Sequence, residues 1–171
     1  MKRRETIIND FDCVFSFPLF EAHAESLSYP CTILLEPVKV IPNMQGTALI
    51  TKVKKPYTDE PDSPVRERTA IGIYADWVPQ PSAFGDYDQY EGVAQIPGVI
   101  SWRFKMHPVK EDQPSIFGGI PWVGKFDEIS AELSPDAIVQ LRLSNSRSGT
   151  LGPVILQNSL KGCVRQVGRS A

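Results

Sequence analysis

The chain has 171 residues, 42% of them hydrophobic and 22% charged, with a formal net charge of −2. That is the composition of a soluble globular chain long enough to bury one substantial core, and it excludes an overall electrostatic drive toward nucleic acid or an anionic membrane. The 15 prolines place rigid breaks along the chain, which argues against long helices and for many short strands joined by turns.

At the start, Lys2, Arg3 and Arg4, the apolar run from Cys13 to Phe20, and Ala22-His23-Ala24 imitate a secretory signal with an A-x-A cleavage site. Glu5, Asp10 and Asp12 cancel the basic start, and Pro18 interrupts the run. The expectation is synthesis in the cytoplasm without cleavage. No segment approaches the about 18 consecutive apolar residues that a membrane helix needs. Phe11, Cys13, Phe15, Phe17 and Leu19 alternate along one face of an extended segment, a pattern with two readings. It is an edge or core strand of its own sheet, or residues 1–30 are an arm that adds to an open sheet edge on a neighbouring subunit.

Residues 31–171 are expected to form the main domain. Cys31 to Ile41 is rich in Ile, Leu and Val but contains Pro37. Proline cannot donate to a strand ladder, so this reads as an edge strand or one broken by a bulge. Pro42-Asn43-Met44-Gln45-Gly46 reads as a turn and Thr47 to Lys54 as the returning strand of a hairpin. Pro56 to Pro64 reads as an exposed loop. In Thr69 to Trp77, Ile71, Ile73, Ala75 and Trp77 share one face, and Gly72, Tyr74 and Asp76 share the other. Val78 to Gly98 reads as a long irregular excursion, of a length that is usually functional or packed as its own unit.

The clearest pattern follows. Ile100, Trp102, Phe104 and Met106 alternate strictly with Ser101, Arg103, Lys105 and His107, as on an antiparallel strand with a core behind it and water in front. Lys110 to Lys125 is rich in Gly and Pro, yet its Ile116, Phe117, Ile120, Trp122 and Val123 are too apolar for a solvated loop. Phe126 to Leu133 fits a strand better than two turns of helix. Val139, Leu141 and Leu143 alternate with Gln140, Arg142 and Ser144; the polar loop Asn145 to Thr150 leads to Val154-Ile155-Leu156, and a short last strand is expected near Cys163 to Val167. About eight to ten strands with turn signals between them suggest an all-β, single-domain antiparallel β-sandwich or jelly roll with long loops and little helix.

Chemistry-bearing motifs are sparse. There is no phosphate-binding glycine loop, no dinucleotide fingerprint, no paired-histidine helix and no nucleophile elbow. With only His23 and His107, no metal site and no cofactor are expected, and His107 reads as a solvated surface histidine. Cys13, Cys31 and Cys163 lack the spacing of zinc ligand pairs and of a disulfide framework. Buried reduced thiols are expected, with an intermolecular bridge left open by the odd number. Asp86, Tyr87, Asp88, Tyr90 and Glu91 form an acidic-aromatic run that reads as a solvated loop, a partner contact or, least of all, an oxygen cage for calcium. Trp77 and Trp102 are expected in the core, and Trp122, in its loop, as a contact for a partner or ligand.

Charge is segregated along the chain. Between Pro56 and Gly98 lie Asp59, Glu60, Asp62, Glu67, Asp76, Asp86, Asp88 and Glu91 against only Arg66 and Arg68. From Ala137 onward there is no acid, only Arg142, Arg147, Lys161, Arg165 and Arg169. With Phe11, Phe15 and Phe17, these cations are the expected subunit contacts, meeting the acidic middle of a neighbour. The expectation is thus a structural protein and not an enzyme. It assembles with copies of itself or with other particle proteins, for example as a viral or phage coat, spike or decoration subunit. No membrane partner is expected, and nucleic acid is conceivable only at the basic termini. The alternative is a β-sandwich binding module for carbohydrate or another ligand.

Overall fold

The computed structural model describes residues 26–110 and 119–164. The expectations for Phe11, Cys13, Phe15, Phe17, Arg165 and Arg169 lie outside the described residues.

Nine strands follow in chain order: β1 Cys31–Pro37, β2 Gln45–Pro56, β3 Val65–Asp76, β4 Gln89–Ile96, β5 Ile100–Lys105, β6 His107–Pro108, β7 Trp122–Ile129, β8 Ile138–Ser144 and β9 Leu151–Ser159. Two single turns of 3-10 helix, Pro81–Phe84 and Leu160–Cys163, are the only helical elements among the described residues. All strand pairs are antiparallel, in the order β5-β4-β8-β9-β1-β2-β3-β7-β6. The chain is therefore an all-β single domain.

The two ends of that order are neighbours in sequence. β5 and β6 are separated only by Met106, whose N–H donates to Tyr90 O at 3.0 Å. This one bent strand pairs with β4 on one side and with β7 on the other, so the sheet returns on itself and is nearly closed. β1 makes the opposite corner. Cys31 to Leu35 pair with β2, whereas Glu36 and Pro37 pair with β9. The two layers of the expected sandwich are thus halves of one sheet, which leaves few open edges.

Local chemistry explains the turns. Asn43 closes the β1–β2 connection at φ 62°, a conformation that its short amide side chain tolerates, and Met44 N–H reaches Ile41 O at 3.3 Å. In the β8–β9 loop, Asn145 Oδ1 accepts from the N–H groups of Arg147 and Ser148, and Gly149 takes φ 67°. One core fills the space between the layers. Ile33 and Leu35 of β1, Ala48 and Ile50 of β2, Ile71 and Ile73 of β3, Phe104 of β5, and Val139, Leu141 and Leu143 of β8 all point into it. These are the alternate positions that the sequence pattern selects. Gly92 of β4 faces the Phe104 ring so closely that a Cβ there would overlap it; the absent side chain makes room for the aromatic one.

Four expectations are corrected. β1 lies between β9 and β2 rather than at an edge, and Pro37 only ends it; the ladder resumes with Val38 N–H to Ile155 O at 3.0 Å. The excursion from Val78 contains strand β4, which is buried on both faces along most of its length and so shows no alternation. β7 begins at Trp122, inside the stretch read as a loop. Of the last strand expected near Cys163 to Val167, Cys163 ends the 3-10 turn Leu160–Cys163 and Val164 makes an antiparallel bridge to Leu27, while residues 165–167 lie outside the described residues. The thiols of Cys31 and Cys163 are joined in a disulfide, with their Cα atoms 5.7 Å apart. It pairs positions separated by 132 residues, a distance at which spacing rules are silent. Residues 26–30 lie against the same place: Ser28 donates both its N–H and its hydroxyl to Cys163 O.

Candidate functional site

The acidic-aromatic run does not form an open loop. Asp88 accepts hydrogen bonds from the N–H and hydroxyl of Ser146, which lower its pKa below the ordinary carboxylate value. Asp86 O accepts from the Asn145 amide at 2.9 Å, and the Tyr87 ring lies over Gly152. The segment is docked on the β8–β9 hairpin. Tyr90 is fully buried; its hydroxyl donates to Pro79 O at 2.8 Å, and burial raises its pKa.

Glu91 is also interior. Burial pushes its pKa up, but hydrogen bonds from Arg103 Nε at 2.8 Å and from the Ser144 hydroxyl at 2.7 Å outweigh this and hold it below the usual range. Gln89 adds a third donor at 3.2 Å. A carboxylate whose pKa is depressed by folding contributes stability above its unfolded pKa, and that contribution is lost as pH falls through its folded pKa. Stability measured by urea unfolding should therefore decline on acidification below about pH 4.3, with Glu91→Gln shallower over that limb than the parent chain. An unchanged acid limb would show that Glu91 does not contribute to it.

Trp122 is the plainest correction. It is 5% exposed and meets Tyr90 edge to face at 5.1 Å between ring centroids, so neither ring is offered to a partner. Trp77 and Trp102, expected in the core, are only half buried; Trp77 sits just past the end of β3 at φ 54°. Among the expected cationic contacts, Arg142 is committed to its own chain, donating Nε and Nη2 to Gly152 O at 3.0 and 2.8 Å. Arg147 is exposed, and Lys161 is exposed beside Asp136 at 3.5 Å. His107 is exposed, as expected.

Two outer surfaces remain. On the half-sheet β1-β2-β3-β7-β6, the cross-strand register sets Leu34, Thr47, Tyr74, Val123 and His107 in one row. Leu34 is 69% exposed, and Tyr74, Val123 and the adjacent Leu49 are also exposed. Gly72, opposite Leu49, leaves a shallow gap beside them. The period-two rule identifies these residues as outward-facing but cannot tell that they align across strands.

On the other half-sheet the register aligns Glu36, Gln157, Gln140, Val93 and Arg103. A cleft of about 460 Å³ opens at its β1–β9 end, lined by Glu36, Pro37, Val38, Ile138, Gln157, Asn158 and Ser159. None of these residues is marked by a motif; only pairing of strands remote in sequence assembles them. No group of three His, Cys, Asp or Glu side chains placed to hold a metal occurs among the described residues, and none of their helices is long and apolar enough to cross a membrane.

Residues 27–164 match the family model described as YoqH, SPbeta prophage-derived uncharacterized protein YoqH. A curated protein of Bacillus subtilis (strain 168) with that description is 41% identical over 165 residues, covering 95% of this chain and 99% of its own. No solved structure matches the chain.

Proposed function

The chain belongs to the prophage-derived YoqH family, and from that membership we propose that it is a structural protein of a phage particle, acting through contacts with copies of itself or with other particle proteins. The observation that carries this reading is the exposed apolar row on β1-β2-β3-β7. Leu34, Leu49, Tyr74 and Val123 present apolar surface on four neighbouring strands, with Thr47 between Leu34 and Tyr74 in the same row, and an apolar patch of this kind supports a protein interface. The alternating phenylalanines Phe11, Phe15 and Phe17 are proposed to add to the contact, with Arg147 and Lys161 as charged rim groups. No catalytic role is part of the proposal.

Size-exclusion chromatography with light scattering, together with sedimentation of particles from a phage-producing culture, tests this. The parent chain should oligomerise or co-sediment with particles. The double variant Leu34→Glu, Val123→Glu should remain monomeric and soluble at an unchanged melting temperature, because both side chains are already in water. A parent chain that stays monomeric at high concentration and is absent from particles would overturn the reading.

A further inference from the structure

We infer that the Cys31–Cys163 bond is a redox latch, which on oxidation fastens residues 26–28 to residues 163–164 and on reduction lets them part while the sheet stays folded. This does not depend on the assembly proposal, since it concerns the closure of the chain on itself. Neither strand beside the bond needs it. β1 pairs with β2 from Cys31 to Leu35 and then with β9, and β9 pairs with β8 from Leu151 to Ser159. Each segment also has its own anchor. Leu160 is fully buried and donates its N–H to Ala137 O at 2.9 Å. Tyr29 packs against the core, with the Lys52 ammonium 4.8 Å from its ring centroid. Between those anchors the hydrogen-bonded junction is slight. Among the described residues it consists of the bridge of Leu27 to Val164 and the two bonds from Ser28 to Cys163 O, at 2.8 and 2.9 Å.

So few contacts offset the entropy of ordering two chain segments only while a tether keeps them side by side. The disulfide is that tether, and it is the one contact here that the surroundings make or break chemically. Intracellular thiols keep such pairs open, and oxidising surroundings close them. Closing is thiol–disulfide exchange with a low-molecular-weight disulfide RSSR as the oxidant. The Cys31 thiolate attacks one sulfur of RSSR, forming a mixed disulfide and expelling RS⁻. The Cys163 thiolate then attacks the Cys31 sulfur, forming the protein bond and expelling the second RS⁻. The two protein thiols give up two electrons and two protons, and RSSR takes up both and leaves as two RSH. Access sets the order: Cys31 is partly exposed and Cys163 is 2% exposed, so the small disulfide meets Cys31 first. An excess of dithiol runs the same steps backward.

Amide hydrogen exchange of the full chain, read by NMR in dithiothreitol and again after dialysis into oxidised glutathione, is the test. The Ser28 amide, which donates to Cys163 O, reports on the latch, and the Leu160 amide reports on the sheet behind it. In the reduced chain Ser28 should exchange roughly tenfold faster or more, as a locally opened segment does, while Leu160 keeps its protection and the far-UV circular dichroism its β form. Oxidised glutathione should restore slow exchange at Ser28, with peptide mapping showing Cys31 joined to Cys163. The double variant Cys31→Ser, Cys163→Ser should exchange like the reduced chain in both buffers. Equal Ser28 exchange in the two states would overturn the inference, leaving the bond a passive staple. Loss of Leu160 protection or of the β spectrum on reduction would overturn it too, because the bond would then hold the whole fold. So would glutathione that fails to re-form the bond or that joins either cysteine to Cys13.

Discussion

Replacing Cys31 and Cys163 together by serine should lower the unfolding free energy by about 5 kcal/mol, the entropy that a bridge of this span removes from the unfolded chain. The two cysteines are 132 residues apart, so the bond closes a loop containing all nine strands. It also lies where the ends of the described chain meet: the bridge of Leu27 to Val164 and the two hydrogen bonds from Ser28 to Cys163 O surround it. Those contacts are local and hold only while β1 and the turn after β9 stay together. For a chain of this size the loss corresponds to a fall in melting temperature of roughly 10–20 °C. Chemical denaturation of the oxidised chain against the double variant measures it, with non-reducing peptide mapping to establish the pairing. Equal stability, or two free thiols in the purified chain, would remove the bond from the account of this fold.

Trp122→Ala should cost about 3–5 kcal/mol, the range for truncating a fully buried aromatic side chain. The indole is 5% exposed, begins β7, and abuts Tyr90 across the core, so its removal opens a cavity and breaks an aromatic pair. Trp102→Ala, where the ring is only half buried, should cost roughly half as much. The comparison is made by urea unfolding of the two variants side by side. If Trp102→Ala proves the more costly, the burial order of the two indoles is reversed, and with it the closure of the sheet at β6–β7.

That pair shows how far a linear pattern reaches. In Ile100 to Met106 the alternation identifies the inward face, and Phe104 and Met106 are buried as it requires. It cannot say how deep each inward residue lies, so Trp102, on the same face, is only half covered. β4 defeats the pattern from the other side. Glu91 and Val93 face away from the core yet are buried, the first among Arg103, Ser144 and Gln89, so polar and apolar positions lose their contrast. Trp122 sits three residues after the pair Gly118-Gly119, and local composition reads as loop although β3 recruits the segment into its ladder.

What the amino-acid sequence determined alone is the class of structure: prolines and period-two runs admit short antiparallel strands and little else, because both constraints act within a few residues. What only the tertiary structure decided is everything that joins positions far apart. The return of β5–β6 onto β7, the Cys31–Cys163 bond, the row of Leu34, Tyr74 and Val123, and the row of Glu36, Gln157 and Gln140 all follow from strand register. Register is set by the whole packed sheet, so surfaces built from one residue per strand leave no mark in the order of the chain.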